Sequence, residues 1–158
     1  MIEEELSHIK NYADIICLRY SDRVKFNIIN NCHQNNLMIP KLIIQPLVEN
    51  AFEHGMKDTL SDGEIEVLLY EENNMLIINV KDNGGNITQD TIDGLYNTIN
   101  CVKETDEMTG LSNVNKRLKI FFGEDSGLNL FINQDEEFVS QIKINLNHLE
   151  NNILKEFK

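Results

Sequence analysis

Asn50 stands in the run Gln45-Pro46-Leu47-Val48-Glu49-Asn50-Ala51-Phe52-Glu53-His54-Gly55. Ile44, Leu47, Val48, Ala51 and Phe52 recur there at helical spacing. On the other side Glu49, Glu53 and Lys57 fall one turn apart, as do Asn50 and His54. Such a helix packs one face and presents oxygens and an imidazole with the other. Mg2+ takes hard oxygen ligands and keeps several waters, so one amide oxygen, that of Asn50, together with phosphate oxygens can complete its octahedron. A second run, Asp82-Asn83-Gly84-Gly85, follows an apolar stretch. A carboxylate at a strand end can accept a hydrogen bond from the exocyclic amine of adenine and disfavours guanine, whose oxygen at that position would repel it. Gly84 would let a base lie close against the backbone. A third run, Thr109-Gly110-Leu111-Ser112-Asn113, opens a helical pattern, and the amides of a helix start can cradle phosphate. Each run taken singly also has a plain structural account: a solvated asparagine, a turn sequence, a capped helix start.

The elements that must position these residues are legible in the periodicity. Ile2, Leu6, Ile9, Ala13, Ile16 and Tyr20 alternate at spacings of four and three, a heptad seam. It fits a helix paired with another helix and equally a helix lying on its own domain's core. Val24 to Ile29 alternates as a strand. A helical pattern opens at Ile39-Pro40 and restarts at Pro46, where a missing N–H is tolerated in the first turn. Glu64 to Tyr70 and Met75 to Lys81 read as a hairpin joined by Glu71-Glu72-Asn73-Asn74, which puts Asp82 at a strand end. A short helix is expected around Thr91 to Val102 inside the polar stretch from Asn86 to Met108, where a lid would sit. Leu111 to Phe122 is a second helix capped by Gly123. Leu128 to Ile132 and Ser140 to Leu146 are two further strands, and Asn147 to Lys158 is a polar tail. One layer of helices on one layer of strands predicts an α/β sandwich.

The chain has 158 residues and a formal net charge of -12, enough for one domain with a substantial core and ill-suited to gripping a nucleic acid backbone. A small anionic ligand is compatible with that charge, since helix starts and Mg2+ neutralise phosphate locally. Cys17, Cys32 and Cys101 are odd in number and widely spaced, which reads as reduced apolar thiols rather than a zinc site or a disulfide frame. No apolar stretch approaches the roughly 20 residues of a membrane helix, and no signal peptide opens the chain.

In this order the three runs resemble the N, D and G boxes of the GHKL-type ATP-binding fold. The wording of the first is similar to that of LytS-type sensor histidine kinases. The resemblance extends to about Leu146, with Ile9-Lys10-Asn11-Tyr12, Arg19-Tyr20 and Asp22-Arg23 matching the end of the family's dimerisation helix. It implies a two-layer α/β sandwich with a mixed sheet and a preceding N-terminal helix. Residues 1–22 would be the end of the dimerisation helix, 23–147 the ATP-binding catalytic domain and 148–158 a tail. It implies Mg2+ and ATP, with Asn50 on the metal and Glu49, Glu53, His54 and Lys57 near metal waters, ribose or phosphate; Glu49 is the candidate catalytic group. Asp82 and Gly84 would hold adenine with help from Ser140, and Thr109, Gly110, Leu111 and Asn113 would lie at the phosphates. Arg117 is expected in a structural ion pair. The implied partners are a response regulator and the protein's own dimerisation domain, with a homodimer through the N-terminal helix, and the whole protein is expected in a bacterial membrane with this chain as a cytosolic fragment.

The chain departs from the family pattern at Asn86, where the D box carries a further glycine, at Met108 in the lid, and at Val139-Ser140, where Gly-Thr is usual. The hydrolytic members of the fold place a water-activating glutamate one turn before the metal asparagine, and here that position is Pro46. This favours transfer to an acceptor elsewhere over autonomous hydrolysis. His8 and His33 lack the family's acceptor context and read as structural or surface residues. Two other readings remain: a non-catalytic module that keeps the fold for protein interaction, and an anti-sigma-factor serine kinase of the same superfold.

Overall fold

The computed structural model describes residues 1–33, 37–85, 87–99 and 110–147. The expectations placed on Asn86, Thr109, Met108, Cys101 and the tail from 148 onward lie outside the described residues.

Its centre is the hairpin of β2 (Gly63–Glu72) and β3 (Met75–Asp82). Ile65, Val67 and Leu69 on one strand and Leu76, Ile78 and Val80 on the other are buried on one face, as an alternating pattern requires. The turn is two residues long, not four. Asn73 and Asn74 both have positive φ, 49° and 61°, the combination whose twist matches a two-residue hairpin. β1 (Val24–Asn30), β4 (Gly127–Ile132) and β5 (Phe138–Asn145) complete a five-stranded sheet in the order β1-β2-β3-β5-β4. β1 runs parallel to β2 and the other neighbours are antiparallel, so the sheet is mixed as expected.

The helices cover one face of it. α1 spans Ile2–Tyr20 and ends where Ser21 and Asp22 take left-handed conformations. Its heptad seam is not free for a partner: Ile2, Ile9 and Ala13 are fully buried and Leu6, Ile16 and Tyr20 pack half-buried against this domain's own core. Burying each large apolar side chain contributes about 1.5–3 kcal/mol, which ties α1 to the domain. The pattern beginning at Ile39-Pro40 is not helical. Leu42 turns into the left-handed region at φ 58°, and α2 starts only at Gln45, with Pro46 in its first turn. α2 (Gln45–Asn50) runs directly into a π turn, Ala51–Gly55.

α3 (Gln89–Ile99) covers the outer edge of β4. The Tyr96 hydroxyl accepts the Leu130 N–H at 2.7 Å and donates to the Leu130 carbonyl at 3.2 Å, so one side chain satisfies an edge residue that would otherwise be open to another strand. α4 (Gly110–Phe122) buries Leu111, Val114, Leu118 and Phe122 and ends at Gly123, φ 84°, whose N–H bonds the Lys119 carbonyl. Cys32 is buried beside the sheet, and its thiol is pushed up to about 11 by burial and then by the Glu71 charge.

Candidate nucleotide site

Asp82 is the last residue of β3 and only 3% exposed. The hairpin register fixes it opposite Ile65 on one side and Phe138 on the other. Its Oδ1 accepts the Gly84 N–H at 3.2 Å. Burial, first, and then the Glu137 charge push its carboxyl up to about 6 against the lowering effect of that Gly84 hydrogen bond. Glu137 is itself partly neutralised by Lys81 at 3.5 Å, which also holds Glu66 at 2.9 Å. A buried carboxylate with no cation against it among the described residues suits a neutral N–H donor such as an aromatic amine.

The π turn brings the first run to Asp82. A Cβ on Gly55 would lie 2.4 Å from Asp82 Oδ1, and a Cβ on Gly84 would lie 1.8 Å from the Gly55 carbonyl oxygen. Only two glycines permit this approach. Sequence reasoning singled out Gly84 but missed that Gly55 is its structural counterpart; the signal was the His54-Gly55 pair closing the first run.

Asn50 is half-buried at the last position of α2, while His54, Glu53 and Lys57 are exposed beyond it. Glu49 accepts a hydrogen bond from the Gln45 amide at 2.8 Å. Glu49 and Glu53 also lie near Tyr12 of α1, whose hydroxyl is pushed up by burial and then by those two charges. The two glutamates therefore flank α1 as well as the candidate site. Ser140, 2% exposed, pairs with Val80 and so shares a sheet face with Asp82, diagonal to it.

The third run meets the first at their helix starts. A Cβ on Gly110 would lie 3.5 Å from the Pro46 Cβ, which places the start of α4 beside the start of α2. Leu111 is buried under it and Asn113 is exposed. Among the described residues Arg117 makes no ion pair: it donates from Nη2 to the Lys41 carbonyl at 2.6 Å and from Nη1 to the Leu42 carbonyl at 3.5 Å. Glu5 holds the same loop from the other side, accepting the Leu42 N–H at 2.8 Å and the Ile44 N–H at 3.0 Å. No sequence signal distinguished Glu5 from the acidic residues beside it.

The residues fit Mg2+ and ATP in one respect each. Among the described residues no group of three or more acidic, histidine or cysteine side chains could cage a metal; a Mg2+ ion would need phosphate and water oxygens beside any single protein amide. The two missing Cβ atoms let the Asp82 carboxylate, Gly55 and Gly84 pack directly against one another.

The profile of the family described as histidine kinase-, DNA gyrase B- and HSP90-like ATPases matches residues 36–146. The chain belongs to that family. Among its relatives are the sensor protein LytS of Staphylococcus saprophyticus, 33% identical over 131 residues that make up 82% of this chain, and the sensor histidine kinase/phosphatase LytS of Staphylococcus aureus, 32% identical over 128 residues, 80% of it. The chain spans 22% of the length of each. Its fold is similar to the catalytic domain of histidine kinase ThkA, with a TM-score of 0.66 at 13% identity over 91% of both chains, and to the Acinetobacter baumannii histidine kinase AdeS, with 0.55 at 16% over 92% of this chain and 63% of that one. The resemblance to LytS-type kinases and the two-layer fold are thus borne out. Membership of this ATPase family implies ATP as the nucleotide.

Proposed function

We propose that this domain binds Mg2+–ATP between the end of β3, the α2–π turn segment and the start of α4. In the whole protein it would present the nucleotide's γ-phosphate to a histidine on the dimerisation domain, from which a response regulator takes it. The observation that carries the reading is the buried Asp82 carboxylate laid against Gly55 and Gly84 at the end of the segment that carries Asn50, with the starts of α2 and α4 side by side at its beginning. Asp82 selects adenine and Ser140 supports it through water; Asn50 supplies the metal-facing oxygen. His54, Lys57 and the exposed carboxylate of Glu53 face the phosphates and ribose, and Gly110 and Asn113 at the start of α4 lie on their other side. ATP supplies the transferable phosphoryl group, and the metal neutralises charge as it leaves.

Glu49 would orient the acceptor, because Pro46 leaves no carboxylate one turn before Asn50 to activate water. That absence supports transfer over hydrolysis. The whole protein would be a membrane-anchored sensor, as the likeness to LytS sensor proteins suggests; in the chain itself, no helix among the described residues is long and apolar enough to cross a membrane. A homodimer through α1 would have to use its outward residues Ile15 and Leu18, which are 65% and 79% exposed, because the heptad positions are taken by the core. That same burial disfavours a module that works only by pairing α1 with a partner.

The test is titration calorimetry with a slowly hydrolysed ATP analogue, with and without Mg2+. Expected are Mg2+-dependent binding, binding weakened about tenfold or more in Asp82→Asn, and loss of the Mg2+ dependence in Asn50→Ala. Absence of heat and of any thermal shift at millimolar nucleotide would sink the reading.

A further inference from the structure

The π turn alters one backbone carbonyl. In a regular α-helix the Met56 N–H would bond the Phe52 carbonyl; here it reaches back to Ala51 at 3.0 Å. The Tyr20 hydroxyl, from the last turn of α1, donates to the Phe52 carbonyl instead at 2.8 Å. Tyr20 is itself held on two sides. Its ring centroid is 5.9 Å from that of Phe52, and the Arg23 guanidinium lies 5.7 Å over its face while Nε of Arg23 donates to the Tyr20 carbonyl at 2.9 Å. Tyr12 and Phe26 close the other sides of Phe52, with centroids at 6.2 and 6.0 Å. At the far end of α1, Glu5 holds the loop that leads into α2. One helix therefore grips both ends of the segment that carries Asn50, and the turn it stabilises ends on Gly55 against Asp82.

We infer that Tyr20 is a positioning residue of the nucleotide site: its hydroxyl satisfies the carbonyl released by the π turn and so keeps Gly55 in register with Asp82 and Gly84. A buried carbonyl left without a donor would favour return to α-helical pairing, Met56 to Phe52. That return would shift Gly55 along the turn, where the clearance to Asp82 is too small to absorb it. The inference rests on the nucleotide reading above for its consequence, but its structural half can be measured without nucleotide.

The experiment compares the wild-type chain with Tyr20→Phe, which keeps the ring and loses only the hydroxyl. Expected are displaced amide resonances for Met56, Gly55 and Gly84, unchanged protection in β2 and β3, and binding of the Mg2+-bound ATP analogue weakened about five- to tenfold at 25 °C. Arg23→Gln, which loosens the ring and leaves the hydroxyl, should move the same resonances in the same direction by less. A lower melting temperature in Tyr20→Phe with unchanged affinity and unmoved Gly55 and Gly84 signals would show an ordinary stabilising contact and overturn the inference. Failure of the wild type to bind nucleotide would sink the reading under Proposed function alone, and the Met56, Gly55 and Gly84 amide resonances would still decide whether Tyr20 holds the π turn.

Discussion

At the scale of single residues, Asp82 sets two opposite pH dependences. Its carboxyl, near 4 in an unfolded chain, is raised to about 6 in the fold, chiefly by burial. The folded state therefore binds its proton more tightly than the unfolded state. The resulting stability is complete below about pH 4 and is lost as pH rises through about 6, an effect on the order of 2–3 kcal/mol. Denaturation of the nucleotide-free domain should show this fall between pH 4 and 7, and Asp82→Asn should remove it. Nucleotide affinity should run the other way. An ionised carboxylate is the better acceptor for adenine's amine, so binding should weaken as pH is lowered through 6, and calorimetry across that range checks the sign. Gly55 and Gly84 are the second residue-scale case. Gly84→Ala would drive a Cβ into the Gly55 backbone, and the displacement should cost about 1–3 kcal/mol in urea denaturation and remove adenine-selective binding.

At the scale of elements, the loop of residues 41–44 is where α1, α2 and α4 meet. Leu42 sits at φ 58°, a conformation that strains a branched residue and persists only where its surroundings fix it. Glu5 takes its N–H, and Arg117 takes the carbonyls of Lys41 and Leu42. Glu5→Ala would leave two backbone amides without acceptors, and the expected loss is about 2–4 kcal/mol, measured by denaturation together with faster exchange at Leu42 and Ile44. Leu42→Gly should do the reverse and be neutral or stabilising by about 1 kcal/mol, since glycine adopts that conformation without strain. If it destabilised strongly, Leu42's half-exposed side chain would matter more than its backbone. The helical period read from Ile39 onward could not show this, because a left-handed residue between two apolar ones leaves the spacing of side chains nearly intact.

At the scale of the whole molecule, α1 belongs to the domain that follows it. A chain starting at Val24 would expose the surface now covering Ile2, Ile9 and Ala13 and would release Phe52 from Tyr12 and Tyr20. It should be unfolded or aggregated at neutral pH by circular dichroism and light scattering; a stable, nucleotide-binding truncation would make α1 a mere linker. The sequence by itself determined the strands, through period-two burial around Asp82, and the candidate residues Asn50, His54, Asp82, Gly84 and Gly110, because their types and spacing are local facts. It also determined α4 and its glycine cap, whose signals lie within one helix. Only the tertiary structure decided that the heptad seam of α1 faces inward, since a 3.5-residue repeat is the same for a partner helix and for a sheet. The same holds for the π turn, which no side-chain spacing announces: it exists because Tyr20, thirty-two positions away, supplies the donor that the Phe52 carbonyl would otherwise find in its own helix.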